Sequence, residues 1–399
     1  MNLDLIFALV FYCLLILFLY KHKKNVQVQG KIVALYRTRV GITLMDKIAR
    51  ACPRFLKVLG ILGVIIGFVG MAVIFYLLAK GTFDLIFVPS AQPAVAPVIP
   101  GIKIPGLPVL SFWHWILAIF FVAVVHEYSH GIFARVYGTK VKSSGIALFG
   151  PILGAFVEPD EKQLQKRSRA AQLSVFAAGP FSNILWGVLF LLLFNGVTAP
   201  LYNAIFEGDG IVVNSLVEGN PVAATGIETP FTIHGVNHYP TPNITAFLDK
   251  ANDLSPGDRV TLTTDKGDIT FTAAENPANK SRAFMGIAGL ELNKKVRSGI
   301  TTTYGQFLPG AFTWIHMLVF WMIVVNIGVG LFNLLPLGPI DGGRMFLTAS
   351  LAFFTPQKAK QVWLFVTFLC LLLIFMNLSP YLWKLVVFLF KPFLVIFGI

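Results

Sequence analysis

Charge is scarce in this chain. Its 399 residues include only 19 Asp and Glu, and charged side chains of both signs make up 13%, against about 25% in an ordinary soluble domain. A water-facing globule of this length is therefore excluded. Cysteine is rarer still. Cys13, Cys52 and Cys370 are too scattered for a disulfide framework or a cysteine-based zinc knuckle, and Cys13 and Cys370 fall in apolar runs where a thiol serves packing. Nor does the chain repeat itself, so its pattern gives no support to an inverted-repeat transporter.

What fills the chain is apolar: 56% of residues are hydrophobic, 37 are Phe, and the mean hydropathy is +0.73. Such values describe an integral membrane protein. Runs of about 20 mostly apolar residues, enough for a hydrocarbon core of about 30 Å, lie at 3 to 20, 55 to 79, 111 to 137, 168 to 197, 309 to 335 and 360 to 378. A seventh, 379 to 398, is interrupted by Ser379-Pro380 and Pro392 and carries Lys384 and Lys391. The expected fold is a polytopic α-helical membrane protein of six or seven transmembrane helices with a small β-rich insert outside the cytoplasm. The first run carries Asp4 rather than a basic cluster, lacks a small-residue cleavage site and meets Lys21-His22-Lys23-Lys24, so it is read as a retained helix.

Charge gives an orientation. Residues 21 to 57 hold ten Lys or Arg and one acid, Asp46, which predicts a cytoplasmic loop and an N-terminus outside. Counting spans then puts 138 to 167 inside and 198 to 305 outside, and the latter holds 11 of the 19 acidic residues. The net charge of +13 becomes charge on the cytoplasmic face beside anionic lipid. The bilayer is the expected partner, and nothing calls for nucleic acid.

Residues 205–290 read differently. "GIVVNSLV", "DRVTLTTD" and "DITFTAA" alternate and are separated by turn dipeptides, a strand-and-turn pattern. "VNSLVEGNPVAATGI", "FTIHGVNHYP" and "FMGI" together resemble a PDZ domain, a module that takes an extended peptide along a strand edge. The expected divisions are 1–110, N-terminal transmembrane helices with a basic cytoplasmic loop and a proline-rich outer loop; 111–198, two transmembrane helices joined by a β-like loop; 205–290, the PDZ-like domain; 306–355, a transmembrane helix ending in a broken segment; and 358–399, C-terminal transmembrane helices.

The chemistry sits in "FFVAVVHEYSHGIFARVYG", residues 120 to 138, where His126, Glu127 and His130 form H-E-x-x-H inside an apolar run. On a helix, His at i and i+4 face one ion while the adjacent Glu meets a water bound to that ion. Ionisable groups at membrane depth are costly and mark function. A catalytic zinc site needs a third protein ligand. The other polar groups at membrane depth are Asp84, His114, Asn183, Asn195, His316, Asn326, Asn333 and Asp341. His114 is about 18 Å along the same helix from His126, too far. Asp341 is better placed, because Pro336, Gly338 and Pro339 in "NLLPLGPIDGGRM" break the span before it. Gly342 and Gly343 are expected to let the backbone approach the metal.

"HEYSH" and "NLLPLGPIDGG" resemble the paired motifs of the site-2 protease family of intramembrane metalloproteases, H-E-x-x-H and N-x-x-P-x-x-x-x-D-G, and "AAGPFSN" (177 to 183) is similar to the G-P-x-x-N motif of the span between them. The resemblance covers about 111 to 355. It implies zinc (Zn2+) held by His126, His130 and Asp341, Glu127 as the catalytic acid/base, and Asn333 and, more weakly, Asn183 on substrate backbone or the oxyanion. It implies an intramembrane zinc endopeptidase cleaving transmembrane segments.

"SSGIALFGPILGAFVEPDE", residues 143 to 161, resembles the family's membrane-associated β segment, expected to pair with an unwound substrate by strand addition. The expected partner is a single-span membrane-protein substrate already trimmed by another protease, screened by the PDZ-like domain outside while the active site lies toward the cytoplasm. Two rivals can be weighed. A membrane zinc peptidase with Glu as third ligand needs a Glu in a later span, but after residue 161 every Glu lies in the outer segment. A non-catalytic scaffold or transporter with a PDZ-like binding module predicts no metal and no dependence on Glu127.

Overall fold

Apolar segments with no water beside them can satisfy their backbone only as helices or closed barrels, and the spans of this chain take the helical route. The computed structural model describes residues 3–397 apart from 30–32, 89–90, 103, 105, 151, 278 and 306. Pro151, within the expected β segment 143 to 161, and residue 398, the expected end of the last run, lie outside them. Two units are distinguished, residues 1–194 with 317–399 and residues 195–316.

In the first unit, helix α1 (Leu3–Lys21) leads into strands β1 (Val26–Gln29) and β2 (Val33–Thr38), then the short amphipathic α2 (Ile42–Ala51) and the long α3 (Pro53–Phe87). Pro53 opens α3 at its first turn, where its missing N–H costs nothing. Helix α4 (Phe112–Val136) carries H-E-x-x-H and is capped by Ser111, whose hydroxyl accepts from the backbone N–H of His114. Strands β3 (Val141–Phe149) and β4 (Ile152–Pro159) follow, then α5 (Glu161–Gln165) and α6 (Arg169–Leu193).

The β segment read in residues 143 to 161 belongs to a larger sheet. β1, β2, β3 and β4 form one antiparallel sheet in that order. The register pairs Arg37 with Gly145 and Gly145 with Phe156. β1 and β2, which the sequence counts as part of a basic loop, thus join this sheet, β2 covering one edge of β3 and leaving β4 as an edge strand. The alternation Val26-Gln27-Val28-Gln29 was the available signal.

The second unit begins within a π-helical turn (Phe194–Thr198), followed by α7 (Ala199–Ile205). Then come β5 (Phe206–Leu216), β6 (Phe231–Val236), β7 (Tyr239–Pro240), α8 (Ile244–Asn252), β8 (Arg259–Thr264), β9 (Ile269–Thr272), β10 (Ala274–Asn276), β11 (Asn279–Phe284), β12 (Ile287–Val296) and α9 (Ser298–Tyr304). β12, β5, β6, β8 and β9 adjoin in that order. Alternate residues of β5, β6 and β8, among them Ile211, Val213, Phe231, Ile233, Val260 and Leu262, close over a core that includes Phe247 of α8.

Helix α10 (Phe307–Asn333) ends in the segment 334 to 340, after which α11 (Asp341–Ser350) and α12 (Pro356–Phe397) complete the chain. The expected separation of 379 to 398 from the preceding span is corrected here, because α12 runs unbroken through Pro380. Pro380 withholds the N–H that would bond the carbonyl of Met376, and the Ser379 hydroxyl donates to that carbonyl instead (2.8 Å). Among the described residues five helices are long and apolar enough to cross a membrane: Pro53–Phe87, Phe112–Val136, Arg169–Ile205, Phe307–Asn333 and Pro356–Lys384. Helix α1 is apolar and shorter.

Candidate metal centre

The centre is assembled from three elements of the first unit: α4, α6 and the start of α11. On α4 the i, i+4 spacing turns both imidazoles to one side, with ring centroids 4.7 Å apart. Asp341 is the first residue of α11; its helix is capped by Ile340, so the carboxylate is not spent as an N-cap. It meets the rings instead. Asp341 Oδ2 lies 2.9 Å from His126 Nε2 and 3.2 Å from His130 Nε2, and the two Nε2 atoms are 3.1 Å apart. Residue 341 is thus brought to within hydrogen-bond distance of two residues more than 200 positions earlier.

The break before Asp341 is held from outside its own helix. Leu334 and Leu335 are fully buried, the Gly338 N–H donates to the Thr367 hydroxyl of α12 (3.2 Å), and Gly338 takes a positive φ of 36°. Non-helical backbone at membrane depth is tolerated only when protein surrounds it in this way. The glycines after Asp341 do something other than approach a metal. A Cβ at Gly342 would stand 2.2 Å from the Leu334 carbonyl oxygen, and one at Gly343 2.6 Å from those of Leu337 and Gly338. Their bareness lets the first turn of α11 press on the 334 to 338 backbone, which fixes the position of Asp341.

Helix α6 forms the back wall. A Cβ at Gly179 would fall 2.4 Å from His130 Nε2 and 2.6 Å from His126 Nε2, so both rings lie against bare backbone there. Pro180, inside the helix, removes one backbone donor and opens this turn. Close by, the Val175 carbonyl accepts the Nδ1–H of His130 at 2.7 Å, which leaves the lone pair of that ring on Nε2. Asn183, fully buried, has its amide 3.0 Å from Nδ1 of His126.

The donor set suits a zinc ion. Two imidazole nitrogens and a carboxylate oxygen lie 2.9 to 3.2 Å from one another, close to the separation of about 3.3 Å that ligands keep around a tetrahedral zinc with bonds of about 2.0 to 2.1 Å. Lone pairs brought this near repel unless a cation or a proton sits among them. Three protein ligands leave a fourth position for water or substrate.

Glu127 faces the same space. Its Oε2 accepts the backbone N–H of Val157 on the edge strand β4 at 3.0 Å. The cavity in front, of about 640 Å³, is lined by His126, Glu127, His130, Asp341, Asn333 and β4 residues 156 to 159, among others. Asn333 Nδ2 donates to the Val329 carbonyl of its own helix (3.1 Å), and the side chain borders the cavity. Asn183 is placed otherwise than the resemblance implies: it stands behind His126, fully buried, and does not line the cavity. Glu158 is tied across the sheet. Burial pushes its carboxyl up, but the Ser143 hydroxyl (2.7 Å) and the Arg37 guanidinium donate to it and hold it below the usual range.

Three other polar residues at membrane depth in the first unit are engaged elsewhere. Asp84 pairs with Lys80 one turn earlier on α3, His114 lies beside its cap Ser111, and Asn326 Nδ2 donates to the Met322 carbonyl of α10 (2.7 Å). What sequence reasoning missed is the set of backbone partners, the Val175 carbonyl and the Val157 N–H, since backbone groups carry no sequence signal. The motif "AAGPFSN" pointed to the right turn of α6 without saying what the turn does.

With this geometry in hand, the likeness to known proteins can be stated. The family model described as Peptidase family M50 matches residues 114–375, a stretch that contains every side chain of the centre. Over 356 residues the chain is 28% identical to an uncharacterized protein of Methanocaldococcus jannaschii, an alignment covering 86% of this chain and 85% of that protein.

Proposed function

Since the chain belongs to peptidase family M50, the site-2 protease family of membrane metallopeptidases, we propose that it is an intramembrane zinc endopeptidase that cleaves transmembrane segments of single-span membrane proteins. The observation that carries this is the convergence of His126 Nε2, His130 Nε2 and Asp341 Oδ2 within 3.2 Å, one residue from a carboxylate that faces an edge strand.

His126, His130 and Asp341 would hold the ion. When bound, zinc supplies a water whose pKa falls toward about 7 and a Lewis acid for the scissile carbonyl. Glu127 takes a proton from the attacking water and returns it to the departing amine nitrogen. Asn333 borders the cavity where the substrate backbone must lie and orients it. A peptide bond inside a helix is shielded by its own hydrogen bonds, so the substrate unwinds first. The edge of β4 then receives it as an added strand, beside Glu127. β3 cannot serve, because β2 occupies its other side.

The 205–290 segment is proposed as a PDZ-like module outside the membrane, with the N-terminus on the same side and the metal nearer the cytoplasm. In that arrangement it screens substrates by the size of their outer portion and admits those another protease has shortened. The test of the activity is to measure bound metal and cleavage of a single-span test substrate by the purified protein and by Glu127→Gln. Metal retained with cleavage lost is the expected result. Cleavage that survives in the variant overturns the mechanism, and a wild type without bound metal overturns the zinc reading.

A further inference from the structure

Two imidazoles hang from one face of α6. His130 gives its Nδ1 proton to the Val175 carbonyl (2.7 Å), and His126 turns its own Nδ1 to the side chain of Asn183 (3.0 Å). Val175, Gly179 and Asn183 are four residues apart along the helix, so they share a face. Their spacing matches that of His126 and His130 on α4, and the bare Gly179 between them admits both rings.

We propose that Asn183 is a positioning residue for the metal centre: its amide oxygen takes the Nδ1 proton of His126 and so leaves the Nε2 lone pair of that ring for the ion. The inference rests on the reading of His126, His130 and Asp341 as a zinc site. It assigns Asn183 to the protein's own ligand instead of to substrate.

Which amide atom faces the ring decides the tautomer of His126. With Nδ2 toward the imidazole, Asn183 donates to Nδ1, and the single proton of a neutral ring moves to Nε2. There it points at Asp341 Oδ2, 2.9 Å away, and blocks the nitrogen that an ion needs. The amide oxygen is then buried with no hydrogen-bond partner among the described residues. Turning the amide over puts the oxygen on the imidazole Nδ1–H, and both histidines then present the same tautomer, Nδ1 to α6 and Nε2 to Asp341.

The test is zinc affinity, read by chelator competition on the purified full-length protein, for wild type, Asn183→Leu, Asn183→Ala and Asn183→Asp. Leu and Ala remove the acceptor, and Asp keeps an oxygen on Nδ1–H while offering no donor. Loss of a partner behind a metal-bound histidine costs about 10- to 100-fold in affinity. That loss is expected for Leu and for Ala, with Asp restored to within about threefold of wild type. Thermal midpoints of the metal-free proteins identify any variant that fails to fold, and Ala, the smaller change, carries the comparison with Asp if Leu is one of them. Ala binding zinc as tightly as wild type overturns the proposal, and so does Asp binding as poorly as Ala, because a donor role for Asn183 predicts that Asp fails. A wild type that binds no zinc overturns the underlying metal reading instead.

Discussion

Gly179 shows how little room the centre has. Its Cα carries no side chain because two imidazole nitrogens stand 2.4 to 2.6 Å from where one would begin, and neither ring can retreat without leaving Asp341. Gly179→Ala should therefore lose bound metal outright while the metal-free helices stay assembled. Elemental analysis beside a thermal melt of the metal-free protein checks this, and full metal occupancy in the variant would show that the rings are not held where the structure puts them. The neighbouring histidines were legible from spacing alone, since i and i+4 share a helix face wherever the helix lies. Gly179 was not, because the need for a missing side chain appears only when another helix is packed against it.

Among the elements, the edge strand β4 and helix α2 carry separate expectations. The Val157 N–H donates to Glu127, so proline at 157 removes that hydrogen bond to the proposed base, while proline is otherwise tolerated on edge strands. Val157→Pro should keep its metal and lose about 100-fold or more in kcat/KM for a single-span substrate, the lower end of a general acid–base contribution. Unchanged kcat/KM would remove β4 from the mechanism. Helix α2 is tied to α4 by Asp46, which accepts from both Nε and a terminal nitrogen of Arg135, the latter at 2.7 Å. These hydrogen bonds outweigh burial and hold the Asp46 carboxyl below its usual range. A carboxylate lowered on folding contributes stability above its unfolded pKa of about 4 and loses it as pH falls through the lower folded value. Both side chains are about a quarter exposed, so the contribution is set at about 1 kcal/mol. Asp46→Asn should melt lower than wild type by a constant amount from about pH 8 to about pH 5, with the gap closing below about pH 4. A gap that persists in acid would assign the effect to packing.

For the whole molecule the open question is selectivity. On the proposed reading, a centre reached from one side of the bilayer accepts an unwound transmembrane segment regardless of what hangs from its far end, unless something outside counts that portion. The proposed role of the 205–290 segment supplies the count. Its deletion should allow cleavage of substrates with intact outer domains, seen as product bands from untrimmed test proteins in cells. If the deleted protein keeps the same preference for trimmed substrates, the screening role is wrong. The second unit, 195–316, closes a core of its own around Ile211, Phe231, Ile233 and Leu262, so removal of the 205–290 segment leaves the core clusters around the metal centre untouched.

The sequence by itself determined what is local or compositional. It set the bilayer as solvent, through hydropathy; the two imidazoles and their carboxylate neighbour, through helical period; and the broken helix before Asp341, through prolines that cannot continue it. Tertiary structure alone decided which distant groups meet. It drew β1 and β2 into the sheet beside β3, carried α12 through Pro380 on a serine hydroxyl, turned Gly342 and Gly343 toward the 334 to 338 backbone, and set Asn183 behind His126. The physical reason is the same in each case. Period and propensity act between residues a few positions apart, whereas the partner of a buried polar group, or the side chain that must be absent, is fixed by backbone from another helix pressed against it.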